Sequence, residues 1–247
     1  MAYEWRFDVV LESLPLLLYG LSWSFLLGLA AMIFGSAIGL VVALLRIRKL
    51  VLASQLAIAY VELFRNTPVL AQVLWVYYVL PVATGLRLSA IACAIIAFSL
   101  NVGAFMAEIF RAGILSVERG QREAALAIGL TPAQAFRRVV LPQALQNILP
   151  ASANIWLSLL KDTSIASVIA VGEMMYVARS LAVNTYRPVE VLTVAGLIYF
   201  LAVYVQSIAI EHLYGRWLAR SRRHEGGALR PARSILDATA REELGRR

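Results

Sequence analysis

Long apolar stretches separated by short charged segments set the pattern of this chain. Uncharged runs occupy residues 13-45, 66-86, 88-107, 139-160 and 191-210. Each approaches or exceeds the roughly 20 apolar residues that a membrane-crossing helix needs. The pattern predicts an all-α, polytopic membrane protein of about five spans. The natural division is a transmembrane domain over 1-219 and a basic tail over 220-247.

Composition agrees. Hydrophobic residues make up 60% of the 247 and charged residues 15%, against about 25% charged in soluble domains, and the mean hydropathy is +0.73. The first apolar run is too long for a cleaved signal peptide, and its flank carries Glu4, Asp8 and Glu12 against Arg6 alone. The single cysteine, Cys93, lies inside the third run, where it reads as a small packing residue and excludes an intrachain disulfide.

Cations in the short connections set the orientation, because lysine and arginine are retained on the cytoplasmic side. Arg46, Arg48 and Lys49 follow the first run, Arg87 alone lies between the second and third, and Arg111, Arg119, Arg122, Arg137 and Arg138 fill the long internal loop. The N-terminus is expected outside and the C-terminus inside. Eight arginines against four acids from residue 220 onward supply +4 of the net +8. The tail lacks aromatic interleaving or a recognisable nucleic-acid module. Gly226, Gly227 and Pro231 make it read as flexible, with an amphipathic turn near 235-244 that contacts anionic lipid. His212 and His224 have no companions for a metal site.

The long internal loop, residues 117-142, stands out because so many charges sit between two greasy runs. Ser116 is expected to cap a helix over 117-128, and Gly129 to end it in the left-handed conformation that glycine adopts without strain. Thr131, with Pro132 after it and Gln134 three residues on, forms a capping box that restarts the chain. Glu123, Ala124 and Ala125 give a small-residue face, Phe136, Val139, Val140 and Leu141 an apolar one, and Pro142 is expected to end the motif. The plainer reading is an amphipathic elbow resting on the membrane.

The order of these residues is more specific than that. Glu123-Ala124-Ala125, then Gly129, then Val139-x-Leu141-Pro142 resembles the EAA loop of membrane subunits of bacterial ABC importers, with valine at 139 where isoleucine is usual. ELFRNTP at 62-68, AEIFRAGI at 107-114, GQREAA at 120-125, VVLPQA at 139-144 and KDTSIASV at 161-168 resemble the polar amino acid subfamily, the histidine, glutamine, glutamate and arginine importers. The resemblance spans about residues 10 to 220. It implies a type I importer permease fold in the bacterial inner membrane and alternating access, with spans two to five reorienting a central cavity. It also implies ATPase subunits that dock on Glu123, Ala124, Ala125, Gly129, Leu141 and Pro142, a homo- or heterodimeric permease partner, and an extracytoplasmic solute-binding protein. The chain has no G-x-x-x-x-G-K-[ST] phosphate loop, so ATP and Mg belong to the partner ATPase and no cofactor is expected on this chain.

Polar residues inside the runs are candidates for the substrate path, since burying an ion in the bilayer costs roughly 2.5-3.5 kcal/mol on insertion scales. Lys161 and Asp162 come first, read either as a structural pair bonding backbone or a partner helix or as a substrate or gate contact; neighbours on a helix point about 100° apart and need not pair. Ser99 and Asn101 in the third run and Asn154, Trp156 and Ser158 in the fourth offer faces that could enclose a small polar amino acid; bonding to helix carbonyls is the alternative for the first two. Glu108 and Arg111 are read as a structural pair. Pro68 breaks the backbone ladder at the start of the second run, and the plainer reading is that Thr67 caps there. Trp23, Trp75, Tyr77, Tyr78 and Trp217 are read as packing or interfacial aromatics. The competing function class is an autonomous channel or ion-coupled carrier whose loop is only interfacial.

Overall fold

A computed structural model describes the backbone of residues 3-47 and 51-244 and the side chains of residues 3-47 and 51-217. Every regular element among them is helical. A short helix α1 (Asp8–Glu12) leads into α2 (Leu14–Ile47), whose 34 residues rise about 50 Å. Helix α3 (Val51–Arg65) turns sharply into α4 (Val69–Leu74), which continues through a π-helical turn into α5 (Leu80–Thr84). Helix α6 (Ala90–Leu115) starts where Ser89 Oγ accepts the Ala92 amide at 3.2 Å.

Three helices, α2, α6 and residues 188-217 of the last helix, are long and apolar enough to cross a membrane; two bent pairs raise the count to as many as five. The expected count of five is reached when each bent pair is taken as one span. The second is more elaborate than its apolar run implied. Residues 51-65 form a separate helix bent by 105° from Val69–Thr84, and Gln55, Glu62 and Arg65 had diluted its apolar signal. The third span extends eight residues past its run, because its charged end is neutralised by neighbouring helices, as described below.

Helix α6 is the central post, with 56% of its most apolar window buried against 28% for α2 and 17% for residues 188-217. The remaining apolar faces require lipid or another membrane chain to cover them. Phe98, Val102 and Met106 of α6 meet Leu27 and Ala31 of α2, Val73 of α4 and Leu159 of α9 (Leu141–Asp162) in one core. Helices α2 and α6 approach closely at Gly35 and Gly39. A Cβ at Gly39 would lie 2.6 Å from Met106 Cβ, and one at Gly35 2.7 Å from Val102 Cγ1. Lipid is as apolar as leucine, so such small-residue seams, which maximise van der Waals contact, hold membrane helices together.

After α6 come α7 (Arg119–Ala127) and α8 (Pro132–Ala135), which runs through a π-helical turn at Phe136–Val140 directly into α9, then a 3-10 segment, Thr163–Ile169, and α10 (Met174–Thr185). The expected stop at Pro142 does not occur. Proline lacks an N–H and crowds the carbonyl four residues back, but the wider turn just before it relieves the crowding. Burial of Val140, Ala144 and Ile148 favours continuing the helix. A second core of Val10 and Leu17, Ala178 and Ala182 of α10, and Val191 and Ala195 of α11 (Pro188–Leu244) holds the opposite side.

Residues 1-205 form one compact unit and residues 206-247 a second. The backbone of α11 runs to Leu244; the side chains of the tail expected to be flexible and lipid-binding lie outside the described residues.

Candidate functional site

The loop between α6 and α9 has the two-helix form expected, with one correction. Ser116 does not cap α7: it ends α6, donating to the Gly113 carbonyl at 2.8 Å and accepting from Asn147 Nδ2 at 2.8 Å. Helix α7 starts without a side-chain cap. Its end is a Schellman motif: Leu130 N–H reaches the Ala125 carbonyl at 3.2 Å and Gly129 N–H the Leu126 carbonyl at 3.0 Å. Gly129 takes φ +89°, a value that strains residues with a Cβ. Thr131 Oγ1 accepts the Gln134 amide while Gln134 Oε1 accepts the Thr131 amide, completing the capping box.

Ala125 and Ala135 are buried, so α7 folds onto the start of the following helix through small side chains. Glu123, Ala124 and Gly129 are exposed, Leu141 half-buried and Pro142 exposed. Ile128 is 79% exposed, with Leu126 and Phe136 also outward. Arg119, Arg122, Arg137 and Arg138 are exposed around them. An apolar tip with a basic surround, held on a short rigid elbow, is built for contact with another surface.

The base of the elbow is clamped. Besides Asn147 to Ser116, a Cβ at Gly113 would lie 2.3 Å from Ile148 Cγ1, so the end of α6 and the start of α9 are in close contact. Glu108 nearby is the hub of a charge network wider than the expected pair. Its Oε2 accepts from Arg111 Nε at 3.1 Å and Nη2 at 3.0 Å, its Oε1 accepts from Arg46, and Arg65 Nη1 lies 3.8 Å away. One carboxylate thereby ties α2, α3 and α6 together. Arg46 and Arg65 are sequence-distant, and no spacing pointed to them.

The 105° bend is secured by side chains. Gln72, nearly buried, donates through Nε2 to the carbonyls of Phe64 and Thr67 and to Thr67 Oγ1, at 2.8-3.0 Å. Thr67 Oγ1 itself donates to the Leu63 carbonyl at 2.8 Å, and Thr67 does not cap α4. Asn101 Nδ2 from α6 reaches the Phe64 carbonyl at 3.1 Å and Gln72 Oε1 at 3.2 Å. Asn101 is thus engaged by the bend. Ser99 is enclosed, its Oγ without a hydrogen-bond partner among the described residues.

The fourth-span candidates lie elsewhere. Asn147, Asn154, Ser158 and Lys161 are exposed on α9, at spacings that put them on one stripe. Ala144, Ile148 and Leu159 occupy a neighbouring, buried face. Trp156 is half-buried, its ring edge-on to Phe25 at 5.3 Å. Asp162 is half-buried and Lys161 exposed, with no ion pair within 4 Å between them among the described residues. No hydrogen bond among the described residues joins Ser99 or Asn101 to the α9 stripe.

Two buried carboxylates were legible only as loop charges. Glu173 accepts from Ser24 Oγ at 3.1 Å, Tyr199 hydroxyl at 2.7 Å and the Tyr176 amide at 2.8 Å. Glu190 accepts from the Tyr3 hydroxyl at 2.5 Å and the Arg6 amide at 3.1 Å, with Arg187 Nη1 3.5 Å away. Both tie α10 or α11 to the first residues of the chain or to α2.

Residues 35-220 match the family described as the binding-protein-dependent transport system inner membrane component. A probable amino-acid permease protein, YxeN, of Bacillus subtilis is 35% identical over 219 residues, covering 88% of this chain and 96% of its own. The glutamine transport system permease protein GlnP of Escherichia coli is 33% identical over 220 residues, covering 87% and 98%. Among solved structures, one described as an amino acid ABC transporter with histidines superposes with a TM-score of 0.81 at 33% identity, over 87% of this chain and 100% of that chain. The helical arrangement is thus a type I importer permease fold, and the chain belongs to the inner membrane components of binding-protein-dependent transport systems.

Proposed function

We propose that this permease moves a polar L-amino acid or a close analogue into the bacterial cell, driven by ATPase subunits on a separate chain. The observation that carries the coupling is the exposed elbow of α7, Gly129 and α8, with Ile128 at its tip and Glu123 on its outer face. Such a surface has no use within its own chain. An ATPase that closes on nucleotide would push the elbow, and the contacts at its base would pass that displacement to α6 and α9.

The exposed stripe of Asn154, Ser158 and Lys161 on α9 supplies donors and acceptors along a face that another permease copy or a homologous subunit would complete into a path. Asp162 lies beside it, whereas Trp156 packs on Phe25 of α2 and Asn101 is held at the α3–α4 bend. The basic loop places the elbow on the cytoplasmic side and the N-terminus outside, where a solute-binding protein would deliver the cargo. ATP and Mg sit on the ATPase in this reading. Pull-down of the ATPase by detergent-solubilised protein tests the docking: Glu123→Lys and Ile128→Asp should insert normally yet lose the ATPase, and undiminished capture by both would overturn the proposed contact.

A further inference from the structure

Helix α10 and the 3-10 segment before it enclose an open-mouthed cavity of about 460 Å³, lined by Ser167, Val168, Tyr176, Arg179, Ser180 and Asn184 among others. Its size falls in the range of small-molecule sites. Arg179 is exposed there, and among the described residues it makes no hydrogen bond or ion pair, unlike Arg187, which bonds the Glu4 carbonyl and lies beside Glu190. A guanidinium held in a concave wall without a partner is poised for a carboxylate, which its planar fork can bind bidentately.

The wall is rigid. Residues 176, 179, 180, 183 and 184 form one face of α10, while Met174, Ala178 and Ala182 are buried on the other. The start of α10 is fixed by Glu173, which caps the Tyr176 amide and is itself held by Ser24 and Tyr199. Ala170, which also lines the cavity, ends the 3-10 segment in the left-handed conformation with φ +59°. The Ala170 and Val171 amides close that end on the Ser167 and Ala166 carbonyls, which holds this wall of the cavity as firmly as α10 holds the other.

We propose that this cavity binds the α-carboxylate of the transported amino acid at Arg179. The proposal rests on the reading that the cargo is an amino acid, and it makes Arg179 a recognition residue for the group shared by all such cargo. The same chemistry could come from an acidic side chain of the solute-binding protein, and the two sources are separable.

The test uses the complex of the full chain with its ATPase in nanodiscs, without the binding protein. Labelled L-glutamine, L-arginine, L-cystine and L-histidine, with their methyl esters, are measured for equilibrium binding. At least one free amino acid should bind the wild type. Arg179→Gln should weaken it about ten- to hundredfold, the affinity equivalent of one charge-assisted hydrogen bond, and Arg179→Lys less. The methyl ester, lacking the carboxylate, should bind both forms alike. Equal affinity for wild type and Arg179→Gln, no binding by wild type, or an equal loss for the ester would overturn the proposal. In a parallel pull-down with the solute-binding protein added, lost capture by Arg179→Gln at unchanged amino acid affinity would overturn it in favour of the protein carboxylate. Uptake by the same complex in sealed proteoliposomes, with ATP inside and the solute-binding protein outside, separates the two readings. ATP-independent uptake contradicts the importer reading, whereas ATP-driven uptake with binding insensitive to Arg179 contradicts this assignment alone.

Discussion

Asn147 Nδ2 donates to Ser116 Oγ at 2.8 Å, joining residues 31 positions apart and closing the base of the elbow that projects between α6 and α9. The bond makes the elbow a lever with a fixed fulcrum. Asn147→Leu removes the donor and, because the site is exposed, should cost no more than about 1 kcal/mol of stability. ATPase binding should survive while uptake per ATP hydrolysed falls severalfold. Full coupling in the variant, measured as the ratio of transported substrate to released phosphate, would show that the clamp is not part of the transmission.

Gly129 is the one loop position where the backbone itself dictates the residue. At φ +89° a Cβ costs on the order of 1-2 kcal/mol, and no atom lies within 4 Å of where it would sit. Gly129→Ala should therefore distort only the angle between α7 and α8, lowering ATPase capture without changing membrane insertion, and Gly129→Asn should be milder because asparagine tolerates this conformation. Equal capture by Gly129→Ala and wild type would contradict the geometric role.

Glu108 answers three guanidiniums from three helices. Its removal leaves like charges facing each other, and the side chains of Arg46 and Glu108 are only 14% and 21% exposed. Glu108→Gln should destabilise the solubilised protein by roughly 2-4 kcal/mol, in the range for breaking a partly buried pair, and Glu108→Asp by less. A melting temperature unchanged in Glu108→Gln would show that the network contributes nothing.

Lys161 and Asp162 close the polar stripe of α9, Lys161 exposed and Asp162 half-buried. If the stripe lines the path, Lys161→Gln and Asp162→Asn should change the KM or the substrate preference of uptake while leaving ATPase capture and melting temperature as in wild type. Altered melting with unchanged KM would make both residues structural.

The spans and the elbow were legible because both are written in local pattern: apolar run length, a glycine after a helix, a threonine three residues before a glutamine. Helix α3 was not, since Gln55, Glu62 and Arg65 interrupt its apolar signal and its stability comes from packing on α2 and α6. Pro142 misled because proline reads as a stop, whereas the π-helical turn before it lets the helix continue. Ser116 misled because serine suits either side of a helix boundary, and the partner that decided the matter, Asn147, lies on another element. The candidate path was legible as a set of polar residues. Its division between the α3–α4 bend, which engages Asn101, and the exposed α9 stripe depends on contacts between distant segments that no spacing encodes. The same holds for Arg46 and Arg65 around Glu108.

The most direct measurement is uptake of labelled L-amino acids into proteoliposomes holding this permease alone, with its ATPase, or with the ATPase and the solute-binding protein. The importer account predicts accumulation only with the ATPase, external binding protein and internal ATP, abolished by Glu123→Lys at unchanged permease content. Accumulation by the permease alone, or uptake driven by an ion gradient without ATP, would contradict it.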